Sequence, residues 1–263
     1  MESKNPDSNG KRLKEIAAVV IGAGSSIGLT LIPELLNKYQ TVILTEQKAE
    51  YAQFLKNVEE WEIHYPQNRI IYMTLDVLSK EDIYDFELFI QGEGIVIGSF
   101  IYLAGVNMLI SALEMTENDW NKIMDVNLKG FFFTAQVMAK NMILNNGGSI
   151  LGIASQHGVV ANVNRSAYCA SKAGMIHLAK ELALEWAKYN IRVNVVSPTF
   201  ILSGKNKELL ESAHSKKEYL GKIPLKKYAK PQDISAAISF LESGEANMIT
   251  GQNLILDGGW TIC

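Results

Sequence analysis

Cysteine is nearly absent: Cys169 and Cys263 are the only two in 263 residues. Two thiols cannot build a disulfide framework, and these two show no metal-ligand spacing, so no metal site is expected. A reducing compartment fits, with Cys169 a half-buried thiol and Cys263 a chain-end thiol. No run approaches the roughly 18 apolar residues of a membrane span. The opening MESKNPDSNGKRLKE is polar and lacks the apolar stretch of a signal peptide. A soluble, cytoplasmic chain is expected, with no membrane partner. Charge of one sign is missing too: 25 Lys and Arg against 28 Asp and Glu leave a formal net charge of −3. A nucleic-acid partner is therefore not expected, because phosphate contacts need clustered cations. There is no internal repeat and no low-complexity linker.

What is present is globular in composition, with 48% apolar and 20% charged residues, close to the average for folded domains. After an arm over residues 1–15, short apolar β-branched runs alternate with helical patterns through 16–263. The runs are Ile16–Ile21, Thr41–Leu44, Ile70–Thr74, Phe100–Leu103, Ser149–Ile153, Arg192–Val196 and Asn253–Leu256. Near-continuous apolar strands between amphipathic helices predict one α/β domain: a doubly wound, Rossmann-type parallel sheet of about seven strands with helices on both faces. The first helix is expected from about Ser26 to Lys38, with Leu29, Ile32, Leu35 and Leu36 on its buried face and Pro33 disturbing its early turns. One long helix is expected within 116–145, its run Phe131–Phe133 in the core, and another over 166–189. The Lys-rich segment 204–230 carries no strand signal and reads as a helical flap around 200–230, a candidate lid.

The first strand runs into Gly22-Ala23-Gly24-Ser25-Ser26-Ile27-Gly28. Glycines there allow positive φ and a close approach to a pyrophosphate, and the next helix N-terminus offers free N–H groups to the anion. The second strand leads to Glu46, 24 residues past Gly22. A carboxylate at that point accepts hydrogen bonds from adenosine ribose hydroxyls and repels a 2′-phosphate. Neither neighbour, Ser25 nor Gln47, is basic. The expectation is NAD rather than NADP.

Tyr168-Cys169-Ala170-Ser171-Lys172 sets a phenol and an ammonium on one helix face, one turn apart. Ser155, thirteen residues upstream, ends an apolar strand run. A Tyr near pKa 10 is a poor base at neutral pH. A nearby Lys and a positive nicotinamide ring favour its phenolate, so Tyr168 can exchange a proton with a substrate hydroxyl while a cofactor exchanges hydride. Ser155 then holds the substrate oxygen.

Together these residues resemble the short-chain dehydrogenase/reductase family over about 16–263. Further matches are Asp76 in LDVLSKED, Tyr102-Leu103-Ala104-Gly105 in place of Asn-Asn-Ala-Gly, and Asn127 in DVNLKG. NVVSPTFILS at 194–203 and ITGQNLILDGGWTI at 249–262 match as well. The resemblance implies a catalytic set of Asn127, Ser155, Tyr168 and Lys172. It implies cofactor contacts from Gly22, Ser25, Ser26, Ile27, Gly28, Glu46, Asp76, Val77, Ala104, Gly105, Tyr168, Lys172, Pro198, Thr199 and Ile201, and a homotetramer. Asn127 is implied to hold a water of a proton relay, and Asp76 and Val77 to meet adenine.

Three motifs depart from the family pattern. Ser26 replaces the middle glycine, with Ile21 for the leading threonine; Tyr102 and Leu103 replace the two asparagines, whose bracing hydrogen bonds need replacing; and Thr199 follows Pro198 in place of glycine. The stretch SQHGVV…AYCASKAG…LALEWAKYNI is similar to bacterial sugar-alcohol and gluconate dehydrogenases of the family. The implied reaction interconverts a secondary alcohol and a ketone on a small sugar alcohol, ketose or sugar acid. Ser155, Gln156 and Tyr168 are the expected substrate contacts, and His157, Asn162 and Asn164 are further polar groups near the pocket. The alternatives are a 3-oxoacyl-thioester reductase and, outside enzymes, a nucleotide-sensing or scaffold protein on the same fold.

Overall fold

The computed structural model describes residues 16–263; the arm expected over 1–15 lies outside the described residues. Seven parallel strands form one sheet in the order β3-β2-β1-β4-β5-β6-β7. They are β1 Ile16–Ile21, β2 Thr41–Glu46, β3 Arg69–Thr74, β4 Val96–Tyr102, β5 Gly148–Ile153, β6 Ile191–Pro198 and β7 Asn253–Leu256. The order reverses between β1 and β4, and in such sheets ligands bind beyond the strand C-termini at that switch point. Strands β1, β4 and β5 end there in Ile21, Tyr102 and Ile153.

The helices flank this sheet on both faces. On one side α1 (Ser26–Leu36), α2 (Lys48–His64) and α9 (Pro231–Glu242) bury Leu31, Ile32, Leu35, Phe54, Val58, Ile234 and Ile238 against the strands. On the other, α3 (Lys80–Gly92), α5 (Gly130–Leu144) and α6 (Ser166–Trp186) bury Phe86, Ile90, Phe131, Met138, Met142, Met175 and Leu182. Both layers exclude water from the central strands, which are apolar on both faces as a parallel sheet requires.

Several local expectations are corrected. Helix α1 runs through Pro33 without a break. Leu29 is exposed, because it lies two residues, about 200° around the helix, from both buried Ile27 and Leu31. The single helix expected within 116–145 is α4 (Glu117–Met124) and α5 joined by a π-helical turn, Asp125–Lys129. Of its aromatic run, Phe131 is fully buried and Phe133 is 41% exposed; consecutive helical residues turn 100° apart and cannot all face one core.

The sequence reading passed over α3 and α9. Ser79 caps α3, its hydroxyl accepting from the Asp82 N–H at 3.1 Å, and Pro231 opens α9 at a position where a missing N–H is harmless. In the flap segment, α7 (Lys207–Glu211) and α8 (Ala213–Glu218) are the short helices. Its two ends are clamped together: Leu202 N–H donates to Ala229 C=O at 2.8 Å, and Ala229 N–H to Phe200 C=O at 3.1 Å.

Candidate active site

Gly22 opens the turn after β1 at φ +77°, and a Cβ there would stand 2.8 Å from the Ala104 nitrogen. Only glycine allows β1 and the chain beyond β4 to approach this closely. Gly28 is equally constrained, since its Cβ would meet the Ala23 carbonyl oxygen at 2.2 Å. Ser25 caps α1 by accepting from Gly28 N–H at 3.1 Å, and Ser26 is the first helical residue. Serine at 26 is therefore compatible with a regular helix start.

Glu46 closes the turn from β2: its two carboxylate oxygens accept from Gly24 N–H at 2.8 Å and Gln47 N–H at 2.9 Å. Each oxygen retains a lone pair for a further donor. Around these groups lies a cleft of about 350 Å³, walled by Gly22, Gly24, Ser25, Glu46, Asp76, Val77, Ala104 and Gly105. Asp76 fastens the next turn by accepting from Leu78 N–H at 2.9 Å. Ile27 is buried in α1, beneath the turn rather than on this wall.

A second cleft of about 370 Å³ shares Leu103, Gly105 and Val106 with the first and is walled by Ser26, Asn107, Ser155, Tyr168, Lys172, Pro198, Thr199, Ile201, Ser203 and Asn206. The fold thus brings the end of β5, one face of α6 and the end of β6 onto one wall. Lys172 is 3% exposed; its Nζ donates to Ile153 C=O at 2.6 Å and lies 5.8 Å from the Tyr168 ring centre.

Burial of the ammonium lowers the Lys172 pKa to about 7. The Tyr168 pKa is raised, chiefly by burial, while the Ser155 hydrogen bond and the Arg165 charge pull it down. Burial is thus the largest influence on this phenol, and it opposes the phenolate that a lysine and a positive nicotinamide ring favour.

Asn127 is fully buried behind the cleft, in the π-helical turn. Its Oδ1 accepts from Val106 N–H at 2.8 Å, and its Nδ2 donates to Val106 C=O at 2.9 Å and Ser171 Oγ at 3.0 Å. It clamps the chain that separates the two clefts. Tyr102, standing where the family has its first asparagine, donates from its hydroxyl to the Val126 carbonyl at 2.6 Å. That bond supplies a brace between β4 and the turn holding Asn127. Gly130 makes room for it, since a Cβ there would stand 2.6 Å from the Tyr102 hydroxyl.

The outer polar groups are only partly where expected. Gln156 and His157, 1% and 5% exposed, are buried in a short 3-10 turn rather than on the cleft wall. Asn164 is exposed at φ +55° and serves as a turn residue. The Asn162 amide nitrogen lies 3.4 Å from His157 Nε2. The sequence reading missed Asn107, Ser203 and Asn206, and also the aromatic group around the flap: Phe200 stacks on Tyr219 at 4.3 Å and lies 5.8 Å from both His157 and Trp260. No periodicity joins residues 157, 200, 219 and 260, so no linear signal could have found them.

The clefts suit a nicotinamide dinucleotide: a glycine-lined floor at a helix N-terminus, a carboxylate beyond β2, and a buried Thr199 hydroxyl without a partner where a carboxamide can bond. Fold and site define a dinucleotide-binding oxidoreductase. A family model described as enoyl-(acyl carrier protein) reductase matches residues 22–261. The chain is 36% identical to the NAD-dependent glycerol dehydrogenase of Listeria innocua, over 93% of each chain. It is 32% identical to a 3-oxoacyl-[acyl-carrier-protein] reductase of Thermotoga maritima, over 95% of this chain and all of the relative.

A gluconate 5-dehydrogenase from Burkholderia cenocepacia, solved with NADP and tartrate, has a similar structure. Its TM-score is 0.85 at 25% identity, covering 95% of this chain and 97% of the other. The chain belongs to the short-chain dehydrogenase/reductase family. It is accordingly an enzyme acting on CH–OH groups with a nicotinamide cofactor. Among the described residues no helix is long and apolar enough to cross a membrane.

Proposed function

We propose that this chain is an NAD-dependent oxidoreductase that interconverts a secondary alcohol and a ketone on a small sugar alcohol, ketose or sugar acid. The observation that carries the reading is the single cleft wall holding Ser155, Tyr168 and Lys172, joined at Gly105 to the cleft holding Glu46. When bound, the nicotinamide cofactor accepts or supplies the hydride. Ser155 Oγ hydrogen-bonds the substrate oxygen, and Tyr168 Oη exchanges the proton with it. Lys172 fixes the Ile153 carbonyl and lowers the cost of the phenolate. Asn127 keeps Val106, and with it the floor between the clefts, in place.

Gly22, Ser25, Ser26, Ile27 and Gly28 form the pyrophosphate turn, Ile27 by packing under it. Asp76 and Val77 take the adenine end; Ala104, Gly105, Pro198, Thr199 and Ile201 take the nicotinamide end. Glu46 favours NAD because its charge repels a 2′-phosphate, and the NAD-dependent glycerol dehydrogenase relative supports this preference.

Residues 200–230, pinned at both ends, serve as the lid. The groove of α4, α5 and α6 lined by Leu128, Phe132, Phe133 and Leu178, with Leu184 76% exposed, supports a homotetramer, to be read by light scattering. A cytoplasmic location fits the composition.

The second reading, reduction of a 3-oxoacyl thioester, is favoured by the Thermotoga relative and by the family model's description. One screen separates them: C4–C6 polyols, sugar acids and ketoses against acyl thioesters, each with NAD and NADP. Turnover of polyols or sugar acids with NAD is the expected result. Turnover confined to thioesters with NADPH would establish the alternative.

A further inference from the structure

Nine buried side-chain nitrogen and oxygen atoms among the described residues have no hydrogen-bond partner, and five of them belong to Gln156, His157, Arg165 and Thr199. Thr199 lies in the cofactor cleft. The other three residues flank Ser155 and Tyr168 in sequence and are all less than 9% exposed. Buried polar groups are otherwise paired, so a concentration of unpaired ones beside a catalytic tyrosine marks groups that bond to something bound.

Arg165 is the unusual member. It is 7% exposed, and its Nε is among the unpaired atoms. No described carboxylate forms an ion pair with it. Its guanidinium has an aromatic neighbour instead, 5.9 Å from the centre of the Phe200 ring. Buried arginines are ordinarily paired with an anion.

A second cation belongs to the same aromatic group. Lys222 lies 5.6 Å from the Trp260 ring centre, and Arg165 and Lys222 both act on His157. Asp257, three residues before Trp260, already accepts from Gly259 N–H at 2.8 Å and Thr261 N–H at 2.7 Å. Arg165 is the residue immediately before α6, three positions ahead of Tyr168. Phe200, Tyr219 and Trp260 roof the group from the flap and the C-terminal turn.

We infer that Arg165 anchors a carboxylate-recognition subsite under the flap, and that the substrate is a hydroxy acid rather than a neutral polyol. The guanidinium fork matches a carboxylate in shape and charge. Opening of the flap admits the substrate; its closure removes the competing water that would weaken the ion pair. This inference rests on the reading of the adjoining cleft as the alcohol-oxidising site.

Two measurements test it together. The first is kcat/KM for gluconate and for its neutral counterpart glucitol with NAD, in the wild type, Arg165→Met and Arg165→Lys. The wild type is expected to prefer the acid. Arg165→Met is expected to lower the acid-to-polyol ratio roughly ten- to a hundred-fold, the loss expected for a charge-assisted hydrogen bond, mainly through KM. Arg165→Lys is expected to recover part of it.

The second measurement is calorimetric binding of gluconate to the same three proteins with NADH present, read only after each shows a native melting transition. A wild type indifferent to the acid group, or an unaltered ratio in Arg165→Met, overturns the inference and leaves the alcohol-oxidising reading intact. Absence of all turnover, with gluconate binding that still depends on Arg165, overturns the parent reading and leaves the subsite standing. Gluconate binding of equal strength in wild type and Arg165→Met refutes the subsite whatever the turnover.

Discussion

Acidification should destabilise this protein through His157, and replacing His157 with Phe should remove that weakness. The imidazole is 5% exposed, edge-on to Phe200 and Trp260. Burial, then the Arg165 charge, lower its pKa from 6.5 to about 4, with a smaller contribution from Lys222. Between those values the unfolded chain binds a proton that the folded chain refuses, so stability rises with pH across the window and falls as pH drops from 6.5 towards 4. At about 1.4 kcal/mol for each tenfold change in proton concentration, the gap corresponds to roughly 3 kcal/mol. That is a large part of the roughly 5–15 kcal/mol that holds a typical domain folded.

Urea unfolding at half-unit pH steps from 7.5 to 4 measures it. Carboxylates contribute an acid limb of their own in both proteins, so the quantity to read is the wild-type curve minus the His157→Phe curve. That difference should grow by roughly 3 kcal/mol on going from pH 7 to pH 4. Two curves that stay parallel over the whole range would refute the reasoning and place the imidazole in contact with water.

Three further outcomes are expected. Tyr168→Phe should keep NADH binding, followed by fluorescence, while kcat falls by roughly 10²–10⁴, the usual loss for a missing general acid or base; undiminished turnover would exclude the phenol from proton transfer. Glu46→Ala should lower the kcat/KM ratio of NAD over NADP, because the carboxylate no longer repels a 2′-phosphate, and a wild type faster with NADP would sink that role. Tyr102→Phe removes a buried hydroxyl from the Val126 carbonyl and should cost about 1–3 kcal/mol, seen as a fall of several degrees in Tm; an unshifted Tm would show that the brace is not needed.

Much of the fold and most of the site lay in the sequence, and the reasons are local. Central strands of a parallel sheet are covered on both faces, so Ile16–Ile21 was found to the residue as a continuous apolar run. The glycine turn was legible because positive φ and close approach admit few residue types. Tyr168 and Lys172 were legible because a helix fixes which face residues four apart share. Errors fell where a choice depends on neighbours. Leu29 and Phe133 are apolar yet exposed, because the helix turns them away from the face that Leu31 and Phe131 present to the sheet. The π-helical turn at Asp125–Lys129, which contains Asn127, leaves no compositional mark; it and the brace from Tyr102 follow only once β4 and α5 pack together.

The sequence by itself determined the class of chemistry: a dinucleotide turn, a tyrosine with its lysine, and a serine at a strand end, each set by short-range geometry. The tertiary structure decided the electrostatics of the site. Burial, not sequence spacing, raises the Tyr168 pKa and lowers that of Lys172 to about 7. Only long-range packing brings His157, Arg165, Phe200, Tyr219 and Trp260 together around one buried positive charge. Periodicity specifies which residues share a face of one element. The surroundings of a charge depend on which elements meet, and here they meet across more than a hundred residues of chain.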